Sequence, residues 1–179
     1  MPGTADLSTV PLSKRLDILQ RITDHLLGIT PANGYSIDMT GRVFRGRAFF
    51  GDQDPLPMVS ILEAPRPLDG LVTGEMGQQR ADDWMLLVQG WAEDDAENPT
   101  DPVYGLCACC EKRLGEIIAV RNGVARHPGV FRLGGRITGM VMGPPVCRPA
   151  DQISARAYFY LPLVVRWSHD ATQPFVTGA

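Results

Sequence analysis

Hydrophobic residues near the start of the sequence recur at steps of three and four residues. Five of them define this spacing: Leu12, Leu16, Leu19, Ile22 and Leu26. Residues at such steps lie on one face of a helix, and charged residues occupy the opposite face here. Ser13 is a favourable first residue and Gly28 a favourable stop. The pattern predicts an amphipathic helix over residues 11–28, with His25 at its surface or boundary.

Five later hydrophobic segments predict strands: residues 41–50, 57–63, 83–93, 136–146 and 155–167. The turn-forming residues 51–55 between the first two predict a hairpin. The segment from Trp84 to Trp91 is hydrophobic on both faces, which is typical of a central strand. Pro162 cannot donate a hydrogen bond within a sheet, so we expect an edge position or a bulge beside it.

A second helix is predicted to begin at Asp101, because Pro102 follows and proline is favoured in the first turn. Its hydrophobic stripe continues to a stop at Asn122-Gly123. The order of elements is helix, three strands, helix and two strands, and strands joined by short turns favour antiparallel pairing. The sequence therefore predicts a two-layer α+β fold, in which two helices cover a largely antiparallel sheet.

The 179 residues suit one domain, and the 19 glycines and 15 prolines indicate many turns. We expect a flexible leader over residues 1–10, a single α+β domain over residues 11–168 and a flexible tail over residues 169–179. Within the domain, residues 64–80 and 121–135 are expected to form long loop arms, because they are rich in turn formers.

The formal net charge of −3 excludes a generally basic protein that coats nucleic acid. The longest hydrophobic runs are shorter than the ~18 residues of a membrane span, and the first residues lack the pattern of a signal peptide. Three of the four cysteines crowd between Cys107 and Cys110, which favours a reducing compartment over a disulfide framework. These features predict a soluble cytoplasmic protein.

The cysteines are the first candidates for chemistry. Cys107 and Cys110 form a C-x-x-C inside the second predicted helix, on its hydrophobic stripe. Free cysteine at such a position is typically buried and structural, and a redox or metal role is the alternative. A zinc site would also need His127, His169 or Cys147, and none of these forms a second close pair.

Other residue types give no catalytic constellation. The serines lie in no nucleophile motif. The adjacent carboxylates Asp82-Asp83 and Asp94-Asp95 flank a strand, where neighbouring residues point to opposite faces, so we expect solvated turn residues there. The sequence predicts a protein that is not an enzyme, with no catalytic residue, no cofactor and no bound metal.

Charge is unevenly distributed along the chain. Eight acidic residues and no basic one lie between residues 81 and 111, whereas seven basic residues and one acidic one lie between residues 112 and 148. Opposite patches suit head-to-tail association of identical subunits in a ring. Solvated faces or an internal network of ion pairs explain the pattern equally well. Nucleic-acid binding by residues 121–136 is disfavoured, because only Phe131 is available there for stacking.

The predicted elements resemble the layout of the tail-terminator, or tail-completion, family of tailed bacteriophages with long non-contractile tails. The resemblance is carried by the helix at 12–28, the segments 46–52 and 57–63, the strand Trp84–Trp91, the acidic turn before Pro102 and the closing strand 155–167. It covers residues 12–168 and lies in the order of elements rather than in one motif.

This resemblance implies a structural virion protein that forms a ring, in this family a hexamer, on the head-proximal end of the tail tube. There it would end tube polymerisation and join the tail tube protein to the head-to-tail connector protein, after assembly in the host cytoplasm. Contacts are expected in residues 66–80, 93–101 and 121–136. The individual residues expected to make them are Arg66, Arg80, Asp94, Asp95, Arg121, Arg126 and Arg132. Another phage neck or head-to-tail adaptor protein is the first alternative, and a thiol-redox or metal-binding enzyme is the second.

Overall fold

The secondary structure is that of a computed structural model, which describes residues 10–49, 51, 53–63 and 79–176. The helices are α1 (Lys14–Leu27), α2 (Asp101–Gly115) and the short α3 (Arg132–Gly135), and a 3₁₀ turn lies at Pro31–Asn33. The strands are β1 (Val43–Arg45), β2 (Met58–Glu63), β3 (Gln79–Trp91), β4 (Val120–Arg121), β5 (Val124–Ala125), β6 (Gly139–Met142), β7 (Val146–Arg148) and β8 (Tyr158–Asp170). Residues 1–9 of the predicted leader, residues 64–78 of the predicted arm and residues 177–179 of the predicted tail lie outside the described residues.

The sheet is built around β3 and β8, which pair antiparallel along their whole length. On one side of this pair, β2 runs antiparallel to β3, and β1 runs parallel to β2 at the edge. On the other side, β6 and β7 both pair antiparallel with β8. β4 and β5 form a separate two-stranded hairpin. The fold is therefore α+β with a mostly antiparallel sheet, as predicted.

Both long helices pack on one face of this sheet. Alternate residues of the central strands face them, because successive residues of a strand point to opposite faces. The buried core includes Ile18, Ile22 and Leu26 of α1, Val103, Leu106 and Leu114 of α2, Trp84, Leu86 and Val88 of β3, and Phe159, Leu161 and Val165 of β8. The stripe predicted for α1 was partly wrong: Leu12 precedes the helix and Leu16 is 40% exposed, since the buried face follows the four-residue steps from Ile18.

Gly90 of β3 leaves room for an aromatic ring. Its register partner on β8 is Phe159, which is fully buried. A β-carbon added at Gly90 would overlap the ring of Phe159, so the ring occupies the space that a side chain would take on the neighbouring strand. The close packing of these two central strands therefore depends on a glycine at this position.

Pro162 coincides with a bulge, one of the two outcomes predicted for it. β6 pairs with β8 in the register Met142–Leu163, but β7 pairs in the register Val146–Tyr160, which is shifted by one residue. The extra residue lies in the segment 143–145, beside Pro162. The Pro162 carbonyl accepts a hydrogen bond from the Gly143 amide at 2.9 Å, so its missing N–H falls on the side of the bulge and leaves the pairing with β3 intact.

The hairpin predicted for the segments 41–50 and 57–63 is wrong. β1 is only three residues long, and it runs parallel to β2 with Val43 opposite Val59. In a parallel pair, the connecting chain must return to the end of the sheet where the first strand began. The segment from residue 46 to residue 57 is long enough to do so, whereas a tight hairpin turn is not.

The second helix ends earlier than predicted. It stops at Gly115, and Asn122-Gly123 instead forms the turn between β4 and β5, with φ angles of 51° and 76°. Positive φ at both turn residues is the geometry that joins two strands most tightly, and Asn-Gly favours it. The predicted loop arm 121–135 therefore contains a hairpin and the short α3.

The end of the described chain packs against the start of α1. β8 continues to Asp170, beyond the predicted strand end. The Lys14 amide donates to the Pro174 carbonyl, and the Val176 amide donates to the Leu12 carbonyl, both at 2.9 Å. Most of the described part of the predicted tail therefore has fixed backbone partners.

Candidate functional site

The sheet face opposite the helices is hydrophobic and incompletely covered by the described residues. One row across three strands is Met85, Val164 and Val141, paired through the registers of β3, β8 and β6. Met85 is 44% and Val141 is 45% exposed. The adjacent row contains Leu62, Leu87 and Pro162, which are half-buried. Exposed hydrophobic side chains in contiguous rows are typical of a surface that binds another protein.

A cleft of about 530 Å³ opens at one end of this face. It lies between the loop that follows β1, the last residues of β3 and the loop that precedes β8. Gln89 and Trp91 of β3 line it, and both are buried. Phe49 and Ile153 line it from the two loops and are 75% and 63% exposed. The cleft therefore combines two exposed hydrophobic side chains with a buried side-chain amide.

The predicted acidic segment 93–101 adjoins this cleft. Glu93 lines the cleft and forms an ion pair with Arg156 at 3.0 Å. Asp94 accepts a hydrogen bond from the Ala157 amide at 2.6 Å, so this exposed carboxylate also holds the loop to the start of β8.

The Asp95 carboxylate is part of the turn that leads to α2. The Asn98 and Glu97 amides donate to it at 2.7 and 2.9 Å, and these hydrogen bonds lower the pKa of Asp95. The expectation of solvated turn residues is thus incomplete for Asp94 and Asp95, since both carboxylates have backbone partners. It is wrong for Asp82-Asp83, which lie within β3.

The predicted basic residues lie beyond the other end of α2. Arg121 belongs to β4 and Arg126 follows β5, and both are exposed. Arg132 begins α3, and its guanidinium lies 5.1 Å from the centre of the Phe131 ring. Arg80 is placed by its backbone alone, opposite His169 in the β3–β8 ladder. Arg66 lies outside the described residues.

Among the described residues, no ion pair joins the acidic segment 93–101 to the basic segment 121–136. The acidic segment leads directly into the first turn of α2, whereas the hairpin and α3 are anchored just after its last turn, where the Ile117 carbonyl accepts from the Arg132 amide at 2.8 Å. Fifteen helical residues span about 22 Å. The two opposite charges are therefore presented at opposite ends of α2.

Part of the basic segment is neutralised internally, which the alternative of an ion-pair network anticipated. Asp17 of α1 is buried, and its carboxylate accepts from Arg136 Nε at 2.9 Å and from Arg21 Nε at 3.0 Å. Asp17 was predicted on the polar face of α1, but these two guanidinium groups allow it to be buried. Arg136 therefore belongs to the contact between α1 and the segment after α3.

His25 is buried, contrary to the surface or boundary position predicted for it. Its Nε2 donates to the Arg113 carbonyl at 2.7 Å, and Arg113 Nε donates back to the His25 carbonyl at 2.8 Å. Arg113 also pairs with Glu116 at 2.8 Å. This reciprocal pair satisfies the ends of α1 and α2 at once, which is why a histidine is accommodated in the core.

Stability is expected to fall as the pH is lowered below about 6.5, in part because of His25. Burial lowers the pKa of His25 from 6.5, and the neighbouring Arg113 lowers it further. Between the two pKa values the unfolded chain binds more protons than the folded chain, so stability rises with pH in that window. Thermal melts from pH 7.5 down to pH 5, with the full chain and His25→Gln compared, measure this effect. The variant should show a flatter dependence on pH. The exposed His127→Gln variant removes only the smallest contribution to the lowered pKa of His25 and should stay close to the parent. Equal slopes for all three would contradict the prediction.

Cys107 and Cys110 of α2 are buried, as their spacing predicts. Cys110 is fully buried and Cys107 is 3% exposed. Burial raises the pKa of Cys107 to about 12 and raises that of Cys110 as well. Cys147 of β7 packs against the same core and contributes to the raised pKa of Cys107, a proximity that the sequence spacing did not indicate. Raised pKa values keep these thiols protonated, the opposite of an activated redox thiol.

Alkylation should distinguish the buried thiols from reactive ones. With a pKa near 12 instead of 9.0, the thiolate fraction of Cys107 at pH 8 is roughly a thousandfold smaller than that of an ordinary cysteine. We expect iodoacetamide to leave Cys107 and Cys110 unmodified in the folded protein and to label all four cysteines after unfolding. Rapid labelling of Cys107 in the folded protein, read by mass spectrometry, would support the redox alternative.

The described residues contain neither a cluster suited to a metal ion nor a helix suited to a membrane. Within residues 10–49, 51, 53–63 and 79–176, no three histidine, cysteine, aspartate or glutamate side chains come together as a metal site would require. His169 stacks instead on Trp167, with ring centres 4.2 Å apart. None of the helices in the described part of the chain has the length and hydrophobicity needed to cross a membrane.

Because the comparisons with known proteins supply no family, the function is argued from the surfaces described above. No protein-family model matches the sequence, and no curated protein matches it.

Proposed function

We propose that this chain is a structural subunit that assembles head to tail into a ring and caps the head-proximal end of a phage tail tube. The observation that carries the proposal is the presentation of acidic and basic segments at opposite ends of α2. Opposite charges at the two ends fit a heterologous, head-to-tail contact between copies. Such a contact gives a ring when the rotation between successive copies closes, and a filament when it does not.

The incompletely covered sheet face supports the same proposal. Met85 and Val141 lie in one hydrophobic row that the helices do not reach, so the subunit has a second surface available for a tail component. A cap needs two different surfaces, one for its own copies and one for the tube. The protonated thiols of α2 are consistent with a protein that performs no thiol chemistry.

The experiment that tests the proposal measures mass in solution and tube length together. Sedimentation velocity of the purified chain, alone and with tail tube protein, should show a ring, with six copies the expected number in the family that the sequence resembles. Added to polymerising tail tube protein, the ring should arrest growth, and electron microscopy should show it at one end only. About 1 M salt should weaken the ring, because the Debye length falls to about 3 Å.

Two outcomes would redirect or end the proposal. A ring that binds a connector protein but does not arrest tube growth would place the chain among neck or adaptor proteins instead. A strict monomer, both alone and with tail tube protein, that leaves tube growth unchanged would contradict both the ring and the cap.

A further inference from the structure

The cleft at the end of the open sheet face has a hydrogen-bonding group at its base. Gln89 is 5% exposed and lines the cleft, and its side-chain amide is not one of the buried polar groups that lack a partner, because it remains accessible to water in the cleft. A ligand that displaces this water must offer the amide hydrogen bonds in its place. The amide offers one donor group and one acceptor, which is also what a peptide group offers.

The two exposed hydrophobic side chains at the mouth of the cleft extend this chemistry. Phe49 and Ile153 approach from the loops on either side and remain 75% and 63% exposed. A peptide segment with a small hydrophobic side chain would cover both of them while its backbone reaches Gln89. The cleft therefore fits a polypeptide segment better than a charged small molecule.

The β4–β5 hairpin has the complementary features. Its tight Asn122-Gly123 turn projects from the chain after α2, and Val120 and Val124 are 56% and 67% exposed. Two-residue strands are too short to be stable by themselves, and their exposed valines gain from being covered. Arg121 and Arg126 place positive charge beside these valines.

Charge favours a match between the hairpin and the cleft. Glu93 and Arg156 line the cleft as an ion pair, and the exposed Asp94, Asp95 and Glu97 follow beside them, so this border carries a net negative charge. The hairpin carries arginines and is separated from the acidic segment by the length of α2, so the two surfaces fit as partners on different copies. Complementary charges at the border of an interface accelerate association and fix its orientation.

We propose that the β4–β5 hairpin of one copy docks into the cleft of the next, with Val124 between Phe49 and Ile153 and a hairpin peptide group on the Gln89 amide. The occupant of the cleft is thus a second copy of this chain. The inference rests on the proposed function, since it names the contact that would close the ring, but it commits to one pair of surfaces among several.

Charge exchange between two variants tests this contact. The first variant is Arg121→Glu/Arg126→Glu, which makes the hairpin acidic; the second is Glu93→Arg/Glu97→Arg, which makes the border of the cleft basic. Each variant alone presents like charges to itself and should associate about 100-fold more weakly than the parent. In an equimolar mixture each hairpin meets a cleft of opposite charge, so alternating assemblies should form and restore the mass seen by sedimentation velocity.

Controls separate a lost contact from a lost fold. Asp24→Arg, on the exposed face of α1 away from both surfaces, should assemble like the parent. Circular dichroism should show the parent spectrum for all variants, because the altered residues are exposed and the Glu93–Arg156 pair is a surface pair of small energy. Val124→Asp provides a charge-independent check and should also weaken association.

The results distinguish failure of this inference from failure of the proposed function. If the parent assembles and the reversed variants assemble equally well, the hairpin contact is wrong while the ring stands. If the reversed variants are monomeric but their mixture stays monomeric too, the hairpin and the cleft are not partners. If the parent itself never assembles, with or without tail tube protein, both proposals are wrong.

Discussion

Phe159→Ala is expected to lower the free energy of unfolding by about 3–5 kcal/mol, the range that applies when a large buried aromatic side chain is truncated. The ring is fully buried at the centre of the sheet and covers Gly90 on the neighbouring strand. Its removal leaves a cavity that the two central strands cannot fill by moving, because they are paired along their whole length. A domain of this size is stable by about 5–15 kcal/mol, so much of that stability would be lost.

Chemical denaturation of the purified variants measures this loss. The matched control is Phe49→Ala, which removes the same side chain from a position that is 75% exposed and should change stability by less than about 0.5 kcal/mol. Gly90→Ala tests the same contact from the other strand and should cost about 1–3 kcal/mol, because the new β-carbon overlaps the ring. A Gly90→Ala variant as stable as the parent would show that the packing of β3 on β8 is looser than described.

Arg113→Met is expected to cost about 2–4 kcal/mol, because one side chain serves both long helices. The guanidinium donates to the His25 carbonyl at the end of α1 and pairs with Glu116 after the end of α2. It also occupies the space beside Gly28 that a β-carbon would take. The variant leaves a carbonyl and a carboxylate, both largely buried, without their charged partner.

The control for this variant is Arg45→Met, at an exposed position on β1, where a change within about 0.5 kcal/mol is expected. Gly28→Ala gives an independent test, since it should displace the guanidinium and destabilise the protein less than Arg113→Met does. If Arg113→Met melts like Arg45→Met, neither the hydrogen bonds nor the charge of Arg113 contributes measurably to stability, and the prediction is wrong.

The sequence predicted the elements of the fold better than their connections. Period-two and period-four patterns identified both long helices and the central strands, since burial on one face imposes those periods. The parallel pairing of β1 and β2 was missed because a three-residue strand leaves almost no pattern, and turn-forming residues suit both a hairpin and a longer crossover. Asn122-Gly123 was predicted to end a helix but forms a hairpin turn, because the same positive φ occurs at helix ends and in tight hairpins.

The candidate site was predicted in its charge but not in its shape. The acidic and basic segments are contiguous in sequence, so their opposite charges could be seen directly. The cleft joins a loop near residue 50, the end of β3 and a loop near residue 153, and only the fold brings these together. One local indication did exist: Gln89 is the polar residue inside the hydrophobic strand segment Trp84–Trp91, and a polar residue at a buried position calls for a partner.

The short edges of the sheet have a consequence for the fate of the chain at high concentration. One edge strand has three residues and the other has four before Gly143-Pro144-Pro145 interrupts it. Prolines donate no backbone hydrogen bond, so a strand from another molecule finds little to extend. These two edge strands therefore offer little to fibrillar aggregation, which propagates through sheet edges. Under the proposed function, newly made copies that accumulate before a template exists would remain available for ordered assembly through their loops and side chains.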